Sequence, residues 1–295
     1  MPEQKVLLVI DVSSLLYRAF FALPPLKTKS GIETGAVYGF TATLFKAIKD
    51  TGATYAVACF DSKEKTFRHE QFAEYKAHRP KTPEGIITQI PLAREVLQAF
   101  GVLTLEEGGF EADDIIATVC KQMETKKDVQ IYIVSGDLDN LQLIDKQVSV
   151  YTLGRGMNDS VIYDIIKVKE RFGVEPRQMN DLKALTGDAS DNIPGAKGIG
   201  KKTAADIIQK YNTVQELYDE LATDTAVLKP RVKEILKQEK SQVMLSRKLV
   251  ETKKDVPVSF NIDKCSLYKK DKKKIEALFN KLEFRSLLAR FNFIT

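Results

Sequence analysis

The sequence predicts an α/β domain on a mostly parallel sheet, joined to an all-helical region. Three observations carry this. Short, near-continuous apolar runs alternate with helical patterns through the front half, as expected of strands covered on both faces. Residues 187–204 (GDASDNIPGAKGIGKKTA) are dense in Gly, Asp and Lys, and only helical patterns follow them. The charge divides near the same place: residues 1–194 hold 23 Lys and Arg against 27 Asp and Glu, and residues 195–295 hold 22 against 13. An acidic front and a basic back point to a polyanion gripped by one half. At 295 residues the chain has room for one large domain or two of ordinary size.

The predicted strands cover residues 6–10 (VLLVI), 55–60 (YAVACF), 102–105 and 129–134 (VQIYIV). Helical periodicity covers 14–21, 35–49, 86–100 and 112–126, and Pro91 is expected to kink the third helix or delay its start. Residues 62–84 (SKEKTFRHEQFAEYKAHRPKTPE) break this rhythm. An insertion of that length in a compact βα unit is a functional loop or is disordered. With no apolar stripe to dock on the core, it is expected to be mobile without a ligand. Helices follow at 203–211, 214–221, 231–249 and 272–282, and the basic run Lys269–Lys274 reads as a solvated helix start.

Composition excludes several classes. No apolar run approaches the roughly 18 residues of a membrane span, and MPEQKVLLVID lacks the layout of a secretory signal. Cys59, Cys120 and Cys265 lie far apart without a CxxC pair, which disfavours zinc or a disulfide framework and points to a reducing cytoplasm. The two histidines, His69 and His78, offer little for a metal site or a triad. Catalysis here must rest on carboxylates.

The acids are placed where that could happen. Asp11 follows the first strand, Asp61 the second, and Asp137 and Asp139 the fourth. In a parallel sheet these positions share one carboxyl edge, where α/β proteins bind ligands. Glu111, Asp113 and Asp114 open a helix, and Asp188 and Asp191 lead into the glycine-rich segment. Any one of them is explained as a turn former or helix cap, but their joint convergence is not. Two carboxylates ~4 Å apart repel by ~4 kcal/mol at an effective dielectric near 20, so such a cleft calls for cations. Oxygen-only donors fit Mg²⁺ or Mn²⁺, and so many acids fit two ions acting on a phosphodiester.

In the glycine-rich run, Lys197, Gly198, Gly200, Lys201, Lys202 and Thr203 read as a helix-hairpin-helix. Glycines admit a phosphate close to the backbone, the second helix offers free N–H groups, and the lysines add charge. A P-loop or Rossmann cradle would need a strand immediately before it, and SDNIP is not one. In the 62–84 loop, Lys63, Lys65, Arg68, Lys76, Arg79 and Lys81 interleave with Phe67, Phe72 and Tyr75. That mixture suits a single nucleic-acid strand.

Taken together, VLLVIDVSSLLYRAFFAL, AVYGF, FDSKEKTFRHEQFAEYKAHRPKTPE, GFEADD, SGDLD, LTGDASDNIPGAKGIGKKTA and the closing LEFRSLLARF resemble the bacterial 5′→3′ exonuclease family, relatives of flap endonucleases. The closest match is the 5′-nuclease domain of the DNA polymerase I type. The resemblance implies a PIN-like (resolvase-like) α/β core over 1–172 with a helical arch at about 62–84. It also implies a helix-3-turn-helix (H3TH) region over 173–295 that grips duplex DNA, often with a bound K⁺. By motif, Asp11, Asp61, Glu111, Asp113 and Asp114 are expected in a first metal group, and Asp137, Asp139, Asp188 and Asp191 in a second, for two Mg²⁺ (or Mn²⁺) ions. Tyr17 and Arg18 fall near the scissile strand, Arg68 and Tyr75 beside DNA, and Lys76 and Arg79 in the arch motif; Arg18, Lys76 and Arg79 are expected to be catalytic. Two departures stand out: Val12 replaces the usual Gly, and Leu138 a residue that is often basic. The implied activity is 5′→3′ exonuclease and flap endonuclease action in replication and repair, by a cytoplasmic, nucleoid-associated monomer. Its partners would be 5′-flap, branched or 5′-ended DNA, including an RNA primer strand. An RNA-directed nuclease on the same core and a non-catalytic DNA-binding module remain the alternative readings.

Overall fold

The VLLVI run becomes the middle of the sheet because it can be buried on both sides. Strand β1 (Lys5–Asp11) has Leu7 to Ile10 fully buried. Leu7 and Val9 face one helical layer, and Leu8 and Ile10 face the other. The computed structural model describes residues 5–154, 159–267 and 270–291. Helix α1 (Val12–Ala22) starts directly at the end of β1, with the Asp11 carboxylate accepting from Ser14 N at 3.1 Å as its cap. Then come α2 (Gly35–Thr51), β2 (Tyr55–Cys59), the short α3 (Phe67–Gln71) and α4 (Glu84–Ile87), α5 (Ile90–Ala99) and β3 (Leu103–Leu105). Helix α6 (Ala112–Met123), β4 (Val129–Val134), β5 (Val148–Leu153), β6 (Ser160–Tyr163) and α7 (Ile165–Phe172) complete the front half.

The strand order is β3-β2-β1-β4-β5-β6, parallel throughout except for the β5–β6 pair. The order reverses between β1 and β4. Their carboxyl ends therefore flank the switch-point crevice where open α/β sheets bind ligands.

The helical region comprises α8 (Met179–Thr186), α9 (Lys201–Tyr211), α10 (Val214–Ala222), α11 (Pro230–Gln238), α12 (Lys240–Val250), α13 (Lys272–Lys281) and α14 (Arg285–Phe291). Helices α8 to α10 continue the core on the α6 side of the sheet. Helices α13 and α14 return to the opposite layer, where Phe279 and Phe291 pack among Phe45 and Phe100. Each such buried ring contributes about 1.5–3 kcal/mol.

Several expected boundaries shift for physical reasons. The third helix divides into α4 and α5, with Pro91 in the first turn of α5, where its missing N–H costs nothing. The stretch expected as one helix over 231–249 is two, α11 and α12, meeting at Glu239. Strands β5 and β6 lay outside the expected set. Val12 is fully buried and has no positive φ, so nothing in its backbone requires glycine there. Leu138 packs against the apolar core. Lys269 of the basic run lies outside the described residues.

Candidate active site and nucleic-acid interface

The switch-point crevice collects most of the expected acids. Asp11 ends β1, nearly buried, with Oδ2 accepting from the Ser135 hydroxyl at 2.8 Å. Ser135 is wholly buried at the end of β4, and its Oγ lies 3.0 Å from that of Ser14. The Asp137 carboxylate accepts from Asp139 N at 3.0 Å and fixes the turn that carries both. Asp61 accepts from Ala112 N at 2.8 Å, which ties the end of β2 to the start of α6. From α6, Asp113 lies within the electrostatic reach of Asp11, Asp139, Asp137 and Asp61.

Their mutual repulsion is visible. Burial, and then the Asp61 carboxylate, push the Asp11 carboxyl up to about 6, although bonds from Ser14 and Ser135 oppose the rise. Burial and its four acidic neighbours raise Asp113 well above the usual carboxylate range. Asp139 is raised to about 6 by burial and by Asp137 and Asp188, against the pull of the Lys183 ammonium. Lys183, on α8, reaches both Asp139 and Asp188, the latter at 2.8 Å, and holds Asp188 below its ordinary value. Sequence reasoning missed Lys183; its signal was a lone cation in the turn before GDASD. Among the described residues, no three of these acids close on one point as they stand. The donor set is nevertheless all oxygen, with neither His nor a free thiol among it, and so fits a hard divalent cation rather than zinc.

The 62–84 loop does not stand free. Phe72 and Tyr75 pack with Ile193, Leu249 and Val250. Arg68 is 3% exposed and Asp114 is 0% exposed, and the pair is bidentate at 2.8 Å on each arm. Arg68 also donates to the carbonyls of Leu249 and Glu251, both at 2.9 Å. This corrects two expectations. Arg68 and Tyr75 are buried against the core here, bonded to acids, and not presented to a nucleic-acid strand. Both Asp114 oxygens serve the Arg68 guanidinium, so Asp114 is a counter-ion and not an open ligand. The reason is burial: a guanidinium and a carboxylate both taken from water must satisfy each other.

The loop also supplies cations to the acids. Lys76 Nζ lies 2.7 Å from Glu111 Oε1 and 3.8 Å from Asp191 Oδ2, Arg79 pairs with Asp191, and the Tyr75 hydroxyl lies 3.0 Å from both acids. Lys76 sits at φ +55, and Asn192 opposite it at φ +56. Lys76 N donates to Asp191 O at 2.9 Å, and Asn192 Nδ2 to Glu74 O at 2.7 Å, so tertiary bonds hold both residues in that uncommon conformation. Arg18 differs from expectation. Its guanidinium donates to the carbonyls of Leu153, Gly154 and Gly136 at 2.6, 2.5 and 3.5 Å, which clamps the ends of β5 and β4. Tyr17 is 36% exposed, with its hydroxyl 2.6 Å from Thr82 Oγ1.

The hairpin lies between α8 and α9. Gly187 (φ +73) and Gly195 approach so closely that a Cβ at Gly195 would lie 2.3 Å from Gly187 N. Gly198 turns at φ +96, and Gly200 caps α9 with open space where a Cβ would be. Lys197, Lys201 and Lys202 are exposed, Thr203 is half-buried, and no acid occupies the first turn of α9. The helix thus presents unopposed N–H groups and positive charge to solvent.

Comparison with known proteins agrees with this architecture. Residues 6–173 match the family described as 5′-3′ exonuclease, N-terminal resolvase-like domain, and residues 174–273 match its C-terminal SAM fold. The DNA polymerase I of Bacillus caldotenax is 40% identical over 287 residues, 97% of this chain and 32% of that protein. That of Bacillus subtilis is 38% identical over 290 residues, 98% of this chain and 32% of that protein. The chain therefore spans about a third of the length of these relatives. A zinc-bound bacteriophage T5 5′-exonuclease superposes with a TM-score of 0.69 at 24% identity, covering 83% of this chain and 89% of its own. The T5 flap endonuclease in a complex with DNA and metal ions gives 0.68 at 22%, covering 95% of this chain and 100% of its own. With both family domains matched in order along its length, the chain belongs to the 5′-3′ exonuclease family.

Proposed function

We propose that this chain hydrolyses DNA phosphodiesters at 5′ ends and 5′ flaps with two divalent cations, Mg²⁺ or Mn²⁺, held at the switch-point crevice. The observation that carries this is the set of acids that β1, β2, α6 and the β4 turn bring to one crevice, where burial first and neighbouring carboxylates second raise Asp11 and Asp139 to about 6. A fold that keeps such a cluster against its own electrostatics keeps it for cations. Asp11, Asp61, Asp113, Asp137 and Asp139 would hold them, with Glu111, Asp188 and Asp191 joining as Lys76, Arg79 and Lys183 release them. When bound, such ions supply a hydroxide nucleophile and stabilise the leaving oxygen.

The chain's own residues do the rest. Lys76 and Arg79 border the crevice from the loop and would turn from the acids to the developing phosphate charge. The Lys197–Thr203 hairpin, with K⁺ among its candidate ligands, would hold the duplex by backbone N–H groups and lysine charge, without reading sequence. In this division of labour residues 1–172 cut and residues 173–295 grip.

Asp137→Asn tests the reading. Single-turnover cleavage of a labelled 5′-flap DNA in Mg²⁺ should fall by roughly 10²-fold or more, because losing a cation removes several kcal/mol of transition-state stabilisation. Affinity for the same DNA in Ca²⁺ should stay within about twofold, since an interaction made only in the transition state leaves binding intact. Cleavage at the wild-type rate overturns the assignment. Preferential cleavage of a matching RNA flap would move the substrate from DNA to RNA.

A further inference from the structure

We infer that Asn140 is a positioning residue for Asp113: its buried side-chain amide fixes one oxygen of that carboxylate and leaves the other free for a cation. This rests on the divalent-cation reading above and extends it to a residue outside the acidic set.

Asn140 lies in the 3₁₀ turn Asp139–Leu143 that follows β4, and it is wholly buried. Its Nδ2 donates to Asp113 Oδ1 at 2.8 Å. Its Oδ1 is buried and has no hydrogen-bond partner among the described residues. The neighbouring Leu141 and Leu143 belong to the apolar core, so an apolar side chain would suit the packing here and would leave no orphaned carbonyl. The amide is retained at a cost to the fold, and the one group it serves among the described residues is Asp113.

Asp113 needs that service more than its neighbours do. Asp11 is held by Ser14 and Ser135, Asp61 by Ala112 N, and Asp139 by Lys183. Asp113 is surrounded by Asp11, Asp139, Asp137 and Asp61, all of which repel it. Asn140 is its sole hydrogen-bond donor among the described residues. It is the amide nitrogen, and not the carbonyl oxygen, that faces Asp113 Oδ1, the orientation that serves a carboxylate ligand in its charged form. Without Asn140, the surrounding charge would rotate Asp113 away from the crevice. A donor behind a ligand oxygen is the arrangement that orients carboxylate ligands elsewhere and sharpens their affinity.

The test is Mn²⁺ binding to the DNA-free protein by isothermal titration calorimetry, for wild type, Asn140→Leu and Asn140→Ala, with thermal melting in chelator alongside. The Leu variant fills similar space without an amide, and the Ala variant covers the case in which Leu does not fit. Positioning predicts Mn²⁺ affinity lowered by about 10- to 100-fold, with the metal-free melting temperature of at least one variant at or near the wild-type value. The Mn²⁺ concentration for half-maximal flap cleavage should rise to match, while the rate at saturating Mn²⁺ stays within a few fold of wild type. Wild-type Mn²⁺ affinity in either folded variant overturns the inference and leaves the cation reading standing. If neither variant folds, Asn140 is a structural residue and the inference falls. If the wild-type protein itself binds no Mn²⁺, the cation reading fails and the inference with it.

Discussion

Asp11 carries two duties that conflict. Its carboxylate caps α1 and accepts from Ser135, which favours the charged form. Burial and Asp61 outweigh both and hold the carboxyl at about 6. The folded state therefore holds this proton more tightly than the unfolded chain, whose ordinary value is 3.8. An acid raised in this way costs stability as pH climbs from about 4 to about 6, and the loss then levels off. Asp188, lowered by Lys183, works in the opposite direction, so the whole-protein profile mixes both signs. A difference measurement separates them. Asp11→Asn preserves the cap, since Asn caps helices as well as Asp does, but it does not titrate. In chelator, the melting temperature of the variant should gain on wild type from pH 4 to about pH 6 and hold that gain at pH 7. A constant gap across that range would show that Asp11 is not raised. The same residue also shows what was legible from sequence. A charged residue directly after VLLVI marks a carboxyl edge, but nothing in the string reveals Ser135 or Asn140 behind the acids. Those interactions depend on how the β4 turn folds back, which residue spacing does not encode.

At the scale of elements, the sequence spoke most clearly where burial is two-sided. The run VQIYIV matched its strand residue for residue, because a central strand covered on both faces is dominated by apolar residues even with Gln130 among them. VSVYTL was harder because Ser149 and Thr152 break its apolar run, and SVIY because it is a four-residue edge strand paired antiparallel to it. The 62–84 loop was legible in composition but not in placement. Its anchor is an ion pair, and no periodicity announces that Arg68 will bury itself against Asp114, which lies 46 residues further along. That anchor makes its own prediction. Arg68 joins α3 to α6 through Asp114 and to the end of α12 through Leu249 O, so Arg68→Met should destabilise the protein by about 3–5 kcal/mol by leaving a buried carboxylate unpaired. Adding Asp114→Leu should recover much of the loss, because an apolar pair can replace a buried ionic one at little net cost. Urea denaturation of the two single variants and the double variant measures the coupling. A double variant as unstable as the sum of its parts would mean that the pair does not act as a unit.

For the whole molecule, the proposed function sets a problem of charge. The front half holds the excess of acids and the back half the excess of bases, so on that proposal a bound duplex would be drawn to one region while its backbone is brought to another that repels it. The hairpin would answer the first requirement with exposed Lys197, Lys201 and Lys202 at the open N-terminus of α9. If these lysines hold phosphates, their contribution is counterion release, which appears as the slope of log affinity against log salt and not as a preference among sequences. Lys201→Ala with Lys202→Ala should lower that slope by roughly 0.9 for each phosphate that is no longer neutralised. Binding at low salt should weaken by about the same factor for duplexes of unrelated sequence. Both measurements belong in Ca²⁺, so that cleavage does not consume the substrate and the acidic crevice is neutralised equally in both proteins. The double variant keeps Gly198 and Gly200, and therefore the backbone path of the hairpin. A smaller slope with unchanged melting temperature is then a loss of charge and not of shape. An unchanged slope would move the grip elsewhere on the basic half. A loss confined to one duplex sequence would show that the hairpin reads base edges in a groove and does not merely hold phosphates.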